Sequence, residues 1–288
     1  MYNKTKEEEM KWKDRRRSSN VSRGSKAPVA VGGGIGGIIL VLVLYFLGVD
    51  PSVLNNQQVS PDRQIESSEV SKERETMEDF LSVILADTED VWHEKFKENG
   101  ESYSEPKMTF YQETTKSGCG IAQSRMGPFY CPMDQTVYFD VSFYNDLKTK
   151  FGGGGDFALA YVLAHEVGHH VQNQLGIIKQ TNELRQKLSE TEYNRVSVAQ
   201  ELQADYFAGL FAYYVKEKGY LDPGDIEEAM SAAAAIGDDR IQEMAGMDVN
   251  VDSFTHGSSA QRKEAFELGY KYHDIEHSMK FFKDIGLY

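Results

Sequence analysis

The sequence predicts an α+β fold that is mainly helical, carries a small β-sheet and is preceded by one N-terminal transmembrane helix. Three observations lead to this fold class. Long segments with apolar residues at helical spacing fill the second half of the chain, and two short segments rich in β-branched and aromatic residues precede them. An uncharged apolar run separates a basic N-terminus from an acidic remainder. With 40% hydrophobic residues, the 288-residue chain can form a sizeable core.

The apolar run covers residues 28–48 and is long enough to cross the ~30 Å hydrocarbon layer as a helix. Residues 1–27 carry nine Lys or Arg and four Asp or Glu, so the N-terminus is expected in the cytoplasm and the bulk of the chain outside. A cleaved signal peptide is the alternative. Because no small-x-small cleavage site follows Gly48, we favour an uncleaved signal anchor in a single-pass protein of the cell membrane.

Composition divides the chain into four parts. Residues 1–27 form a charged, mostly disordered cytoplasmic tail, residues 28–48 the membrane span, residues 49–75 a polar, flexible linker and residues 76–288 one globular domain. The net charge of −14 is unevenly spread, because the tail has a balance of +5 and residues 28–288 have a balance of −19. Such an acidic body would repel phosphates, which argues against nucleic acid as a partner. The sequence does not set the oligomeric state.

The helices and strands of the domain are predicted from the periodicity of apolar residues and from the residues that interrupt it. A helix is expected over 77–97, strands over 108–111 and 136–140, and a short helix over 142–150. The glycine run at 151–155 is a flexible connection, with Asp156 as the N-cap of the next helix. The remaining helices are expected over 157–175, 193–218, 223–236 and 258–282.

The two cysteines, Cys119 and Cys131, lie in a turn-rich segment. In an oxidising compartment, a disulfide between them would close this loop. Two buried free thiols are the alternative. A zinc site formed by this pair is disfavoured, because it has neither the CxxC spacing nor a histidine nearby.

The segment from His165 to His169 reads His-Glu-Val-Gly-His and falls in the predicted helix 157–175. Residues four apart are separated by about 40° around a helix axis, so both imidazoles can reach one zinc ion. Glu166 lies beside them and is better placed to activate water than to bind the metal. Gly168 leaves room for a neighbouring backbone. This is the arrangement that a zinc-dependent hydrolase needs.

A catalytic zinc takes a third protein ligand and keeps one position open. Glu201 is the best candidate, since it lies on the next long helix among apolar neighbours, where an unpaired carboxylate would be costly. Asp205 follows one turn later on the same face and could orient a ligating imidazole. Glu190 and Glu192 are rival ligands in a more polar context, and a solvent-facing Glu201 and Asp205 are the non-functional alternative.

A second histidine pair, His273 and His277, fits the inverted His-x-x-Glu-His pattern. Only Asp284 follows it as an acidic ligand, so we interpret this segment as a solvated helix face. His170 is rotated by about 140° from His165 and is expected in the outer shell or at the surface.

Several motifs together resemble the bacterial neutral zinc metallopeptidase family. They are the loop from Cys119 to Pro132, Val137–Asp140, His165–Gln172, Glu201–Gly209 and His256–Arg262. The likeness covers nearly the whole chain. It implies a zincin-like metallopeptidase domain that hydrolyses peptide bonds with one zinc ion, His165, His169 and Glu201 as its ligands, and Glu166 as the base.

A more distant resemblance links the Glu-x-x-Ala-Asp element to gluzincin peptidases such as the CAAX prenyl proteases. It implies that Asp205 supports a ligating histidine and that His256, six residues before Arg262, stabilises the transition state. Gly257 stands where those proteases usually have proline, and His256 could instead simply begin a helix. The lipidated substrates of the prenyl proteases are not carried over.

Together these observations predict a membrane-anchored zinc metalloendopeptidase acting on peptide or protein substrates. Two alternatives stay open: a non-catalytic zinc module at the cell envelope that binds peptides or partners, and a zinc hydrolase acting on cell-wall peptides. A structural zinc prefers four closed ligands and has no use for Glu166, which favours the enzyme. The strand at 136–140 could pair with an extended substrate or lie inside the sheet.

Overall fold

The computed structural model describes residues 10–24, 68–140, 142–143 and 155–288. Most of these residues are helical, and the helices follow in chain order with short connections. Their bounds are α1 Ser68–Glu98, α2 Asp156–Gln174, α3 Ile177–Leu184, α4 Glu190–Glu217, α5 Asp225–Ala235, α6 Asp238–Met244, α7 Ser259–Tyr272 and α8 Lys280–Asp284.

The strands form a mixed four-stranded sheet and a separate hairpin. Their bounds are β1 Val21–Arg23, β2 Lys107–Tyr111, β3 Thr114–Ser117, β4 Gly120–Gln123, β5 Phe129–Cys131 and β6 Thr136–Asp140. The sheet has the order β1-β2-β6-β5, in which β5 pairs antiparallel with β6 and the other pairs are parallel. The antiparallel hairpin β3–β4 is joined to the end of β5 by a disulfide between Cys119 and Cys131. The predicted disulfide is therefore confirmed.

Helices α2 and α4 form the centre of the domain, because α2 is buried along most of its length and α4 is buried from Leu202 to Ala212. Helix α7 packs against α4 unusually closely, since a Cβ added to Gly209 would lie 2.0 Å from the backbone oxygen of Phe266. Gly168 has the same function between α2 and α4, where an added Cβ would lie 3.1 Å from the oxygen of Ala204. These glycines let the helices that carry the candidate site approach each other backbone to backbone.

Residues 10–24 are part of this domain. The strand β1 pairs in parallel with β2, and the side chain of Met10 is buried in the main core. The sequence predicts a disordered tail for residues 1–27, so the structure differs from that expectation over residues 10–24. A composition-based argument could not find this segment, because its basic residues are matched by acidic residues far along the chain.

The predicted elements that can be compared agree with the structure in type and differ in their bounds, whereas α3, α6, β3, β4 and β5 were not predicted. Helix α1 begins at Ser68, inside the predicted linker 49–75 and before the predicted domain boundary at residue 76. Gly155, not Asp156, is the N-cap of α2, and Asp156 instead accepts the backbone hydrogen of Met10. The helix predicted over 258–282 ends at Tyr272, because His273 has a φ of 41° and breaks it.

Some predicted elements cannot be compared. The apolar run 28–48 and most of the short helix predicted over 142–150 lie outside the described residues. Among the residues that the structure does describe, no helix is both long enough and apolar enough to span a bilayer.

Candidate metal centre

The candidate centre lies where helices α2 and α4 pack together. His165, Glu166 and His169 come from α2, and Glu201 comes from α4. The Nε2 atom of His165 lies 3.2 Å from one carboxylate oxygen of Glu201, and the Nε2 atom of His169 lies 3.5 Å from the other. The structure therefore brings together the three residues that the sequence predicts as metal ligands.

These distances fit a zinc ion held by all three side chains. Tetrahedral zinc with bonds of ~2.0–2.1 Å keeps neighbouring donor atoms ~3.3 Å apart, close to the separations observed here. Two imidazole nitrogens and a carboxylate oxygen are also a donor set that zinc prefers. Among the described residues, His165, His169 and Glu201 form one of two groups of potential ligands with donor atoms mutually within 4.8 Å.

The second ring nitrogen of each histidine, Nδ1, lies within hydrogen-bonding distance of another side chain. The Nδ1 atom of His165 lies 2.8 Å from Asp205, and that of His169 lies 2.9 Å from the side-chain oxygen of Gln172. Since both partners are acceptors, each Nδ1 donates its hydrogen to its partner, and each Nε2 is turned toward Glu201. Asp205 occupies the supporting position that the resemblance implied.

Asp205 is itself fixed in the protein interior. Arg262 on helix α7 donates to both of its carboxylate oxygens, at 2.8 and 3.0 Å, and the hydroxyl of Tyr161 donates to one of them at 2.5 Å. All three side chains are buried. Burial alone would raise the pKa of Asp205, but the charge of Arg262 and that of His165 outweigh it and lower the pKa to about 2.

The carboxylates make the centre attractive to positive charge. Burial would lower the pKa of His165, but Asp205 and Glu201 together raise it to about 10. Burial would likewise raise the pKa of Glu201, yet the neighbouring histidines, His169 first, hold it well below its ordinary value. The site therefore stabilises a cation in contact with an ionised Glu201.

Glu166 is buried beside the two histidines and does not belong to the group of candidate ligands. Burial raises its pKa, while the nearby histidines and the backbone N–H of Tyr130 in β5 act in the opposite direction. A carboxylate that is desolvated in this way is a stronger base than one in water. Its position fits the role of water activation that the sequence predicts.

His256 lies in the loop before α7, with 40% of its side chain exposed. Its charge contributes to lowering the pKa of Glu201, which places it near the centre. Its Nδ1 atom lies 3.1 Å from Asp238. The other oxygen of Asp238 accepts the backbone hydrogens of Thr255, His256 and Gly257, at 2.6–2.9 Å. This carboxylate thus fixes both the loop and the imidazole.

The rival ligands are not brought to the centre. Glu192 closes a capping box with Ser189 at the start of α4. Glu190 is also in that first turn, about three turns before Glu201. His277 is 51% exposed and pairs with Asp274. His170 is buried away from the metal position, between the hydroxyl of Tyr130 and the carbonyl of Ser104, so it is an interior residue rather than a surface one.

Sequence reasoning missed Gln172, Tyr161 and Asp238. Gln172 falls three residues after His169, one turn along the same helix, and this spacing could have indicated it. Tyr161 lies one turn before His165 by the same rule. No local signal links Asp238 to His256, because the contact joins the start of α6 to the loop before α7, 18 residues further along the chain.

The chain matches the family model described as "Putative neutral zinc metallopeptidase" over residues 1–281. The chain belongs to this family. The assignment supports a hydrolase of the peptidase class at a coarse level and implies a zinc cofactor, in agreement with the donor set of His165, His169 and Glu201.

Two relatives show how far the similarity extends. The chain is 46% identical to YpfJ of Escherichia coli (strain K12) over an alignment of 289 positions, which covers 96% of this chain and all of YpfJ. It is 39% identical to Rv2575 of Mycobacterium tuberculosis (strain ATCC 25618 / H37Rv) over 244 residues, which cover 78% of this chain and 80% of Rv2575. Both relatives are named as uncharacterized proteins. No solved structure matches the chain.

Proposed function

We propose that this protein is a zinc metalloendopeptidase in which His165, His169 and Glu201 hold one zinc ion and Glu166 is the general base. The convergence of two imidazole Nε2 atoms on the carboxylate of Glu201, at 3.2 and 3.5 Å, carries the proposal. When bound, zinc supplies a Lewis acid that polarises the scissile carbonyl and acidifies water.

Side chains of the protein have the other roles in the reaction. Glu166 accepts a proton from the attacking water and later delivers it to the leaving amine. His256, oriented by Asp238, donates a hydrogen bond to the oxygen that gains negative charge. Asp205 and Gln172 keep the two ligating imidazoles in their orientation. In this scheme, His256 and Glu166 act on the substrate and the others act through the ligands.

The position of the sheet suggests where a substrate lies. Strand β6 is an interior strand, hydrogen-bonded to β2 on one side and β5 on the other, so it cannot accept the substrate as the sequence allowed. Strand β5 is an edge of the described sheet, and the N–H of Tyr130 in β5 contacts Glu166. An extended peptide lying along β5 would therefore bring its backbone to the base.

The test uses the purified full chain, its zinc content and its cleavage of an unfolded protein such as reduced casein. Wild type is expected to hold one equivalent of zinc and to cleave. Glu166→Gln is expected to hold the same zinc and to lose at least ~10²-fold in rate. Glu183→Gln, on the exposed face of α3, is the matched control.

Two results would contradict parts of this proposal. One equivalent of zinc with no cleavage of any protein tested would favour the non-catalytic peptide-binding module. Cleavage that survives in Glu166→Gln would exclude Glu166 as the base. Membrane association through residues 28–48 stays a prediction, as does the choice between protein and cell-wall peptide substrates.

A further inference from the structure

The N-terminal segment of residues 10–24, here called the docking segment, is held to the domain by a strand and by apolar contacts. Val21, Ser22 and Arg23 pair in register with Met108, Thr109 and Phe110. At its other end, Met10 is 1% exposed and donates its backbone hydrogen to Asp156 at the start of α2. Between them, the ring of Trp12 packs edge-on against Phe80 at 5.7 Å. The segment thus contacts the sheet, α1 and α2.

The arginines of the docking segment are matched by carboxylates of α1. Arg15 pairs with Asp87, Arg17 with Asp79, and Arg16 with both Glu89 and Asp90. Arg23 in β1 pairs with Glu78. By the positive-inside rule, these arginines would be a signal that keeps the tail in the cytoplasm. The ion pairs give the same residues a function within the fold.

Glu89 shows that the contact between the docking segment and α1 extends into the protein interior. Its side chain is buried, at 1% exposed, beneath the docking segment. One carboxylate oxygen accepts from Ser18 and Asn20, and the other accepts from Arg16 at 2.7 Å. Every one of these donors belongs to the docking segment. A buried carboxylate with such partners is strongly destabilising when its partners are removed.

These contacts constrain how the chain can sit in a membrane. Gly24 and Ser68 belong to one folded body, and the apolar run 28–48 lies in the chain between them. One crossing of the membrane would put the two ends on opposite sides of a hydrocarbon layer ~30 Å thick. Two crossings need about 40 apolar residues, which the run does not have.

We infer that the docking segment and the domain share one compartment, so that Gly24 and Ser68 lie on the same side of any membrane that the folded protein contacts. The basic charge of the docking segment serves to hold it against the carboxylates of α1. This inference does not depend on the proposed peptidase activity, because none of the contacts that carry it involves the metal centre.

A cross-strand cysteine pair in the full chain tests the inference in intact bacteria. The side chains of Ser22 and Thr109 lie in register, with their oxygens 3.0 Å apart. Ser22→Cys with Thr109→Cys should cross-link within one molecule when a membrane-permeant oxidant is added, which a non-reducing gel shows as a faster-migrating monomer. Ser22→Cys with Lys263→Cys is the control, because helix α7 packs mainly on α4 and α5.

Failure to cross-link in a stably accumulating protein would overturn the inference, as would a cross-linked band at twice the monomer mass. A second measurement serves if the double variant does not accumulate. Ser19→Cys and Lys263→Cys, both at exposed positions, are each treated with a membrane-impermeant maleimide in spheroplasts. Labelling of both, or protection of both, supports a shared compartment. Labelling of one and protection of the other establishes a single-pass topology and refutes the inference.

Discussion

Asp205 and His165 are joined by a hydrogen bond of 2.8 Å between a carboxylate oxygen and the Nδ1 atom. Asp205 also takes two hydrogen bonds from Arg262, so one buried carboxylate is shared between a metal-facing histidine and a buried cation. This relationship ties metal binding to the stability of the core. A change at Asp205 should therefore affect both, whereas a change at a ligand should affect mainly the metal.

We expect Asp205→Asn to weaken zinc binding by about 10- to 100-fold, because the amide orients His165 less well than the carboxylate does. We expect the same variant to lose about 3–5 kcal/mol of unfolding free energy, because Arg262 is left buried without its counter-charge. Competition with a chelator measures the first quantity and urea unfolding the second. Asp252→Asn, at an exposed position, should change neither. Wild-type zinc affinity in Asp205→Asn would contradict the supporting role.

Two variants of Gln172 can distinguish a role in orienting His169 from a role in packing. Its oxygen holds His169, and its nitrogen donates to the backbone oxygen of Gln200 and to the side chain of Gln203. Gln172→Leu removes the acceptor and should raise the zinc dissociation rate by about 10-fold or more. Gln172→Glu keeps an acceptor for His169 and should retain tighter binding than Gln172→Leu. Equal dissociation rates in the two variants would show that Gln172 only fills space.

The sequence could predict that His165, His169 and Glu201 come together, because these residues obey local rules. The spacing of His165 and His169 places both on one helical face, and the apolar neighbours of Glu201 mark it as a carboxylate that needs a partner. Gln172 and Tyr161 obey the same one-turn spacing, but glutamine and tyrosine occur on many helices without a function. Asp238 could not be found this way, because its contact with His256 joins the start of α6 to the loop before α7 and follows no helical spacing.

The sequence was least informative where long-range pairing decides the structure. Arg15, Arg16 and Arg17 form a basic cluster whose partners on α1 lie more than 60 residues away. Strand β1 has only three residues and no pattern of its own, so its pairing with β2 could not be read locally. The long helices α2 and α4, by contrast, were predicted within three residues at each end, because burial gives them a strong periodicity.

The disulfide is expected to stabilise the region that carries Tyr130. A bond closing a loop of this length contributes roughly 3 kcal/mol, mainly by restricting the unfolded chain. Cys119→Ser with Cys131→Ser should lower the urea midpoint accordingly. A reducing agent should lower the midpoint of the wild type by a similar amount and leave that of the double variant unchanged. A wild-type midpoint that is insensitive to reduction would contradict this contribution.

Asp225 provides a stability prediction with a defined pH dependence. Burial raises its pKa from 3.8 to about 6, with nearby acidic groups such as Asp156 adding to the shift. A folded-state pKa above the unfolded value means that the folded protein holds the proton more tightly, so stability is lost as pH rises from about 4 to above 6. Asp225→Asn removes this loss and should be more stable than wild type at pH ~8 by about 1–3 kcal/mol.

The matched control is Glu227→Gln, which neutralises an exposed acidic residue in the same first turn of α5. The gain of Asp225→Asn over this control should shrink as pH falls and vanish below about pH 4, where Asp225 is protonated in both states. Thermal unfolding between pH 4 and 8, in buffers without calcium or magnesium, measures the difference. A gain that is constant over this range would assign it to helix capping rather than to burial.

The last prediction concerns His256 and Asp238, which should act as one unit. If His256 donates to the developing oxyanion, His256→Ala should lower kcat by about 10²-fold and change KM little, because the bond forms only in the transition state. Asp238 reaches the substrate only through His256, so Asp238→Asn should lower kcat by less. In the double variant, the two losses should not multiply, since the orienting carboxylate has no effect once the imidazole is gone. Steady-state kinetics of the single and double variants test this coupling, with zinc content measured in each to confirm that the metal remains bound. Multiplicative losses would mean that Asp238 acts independently of His256, by holding the loop alone.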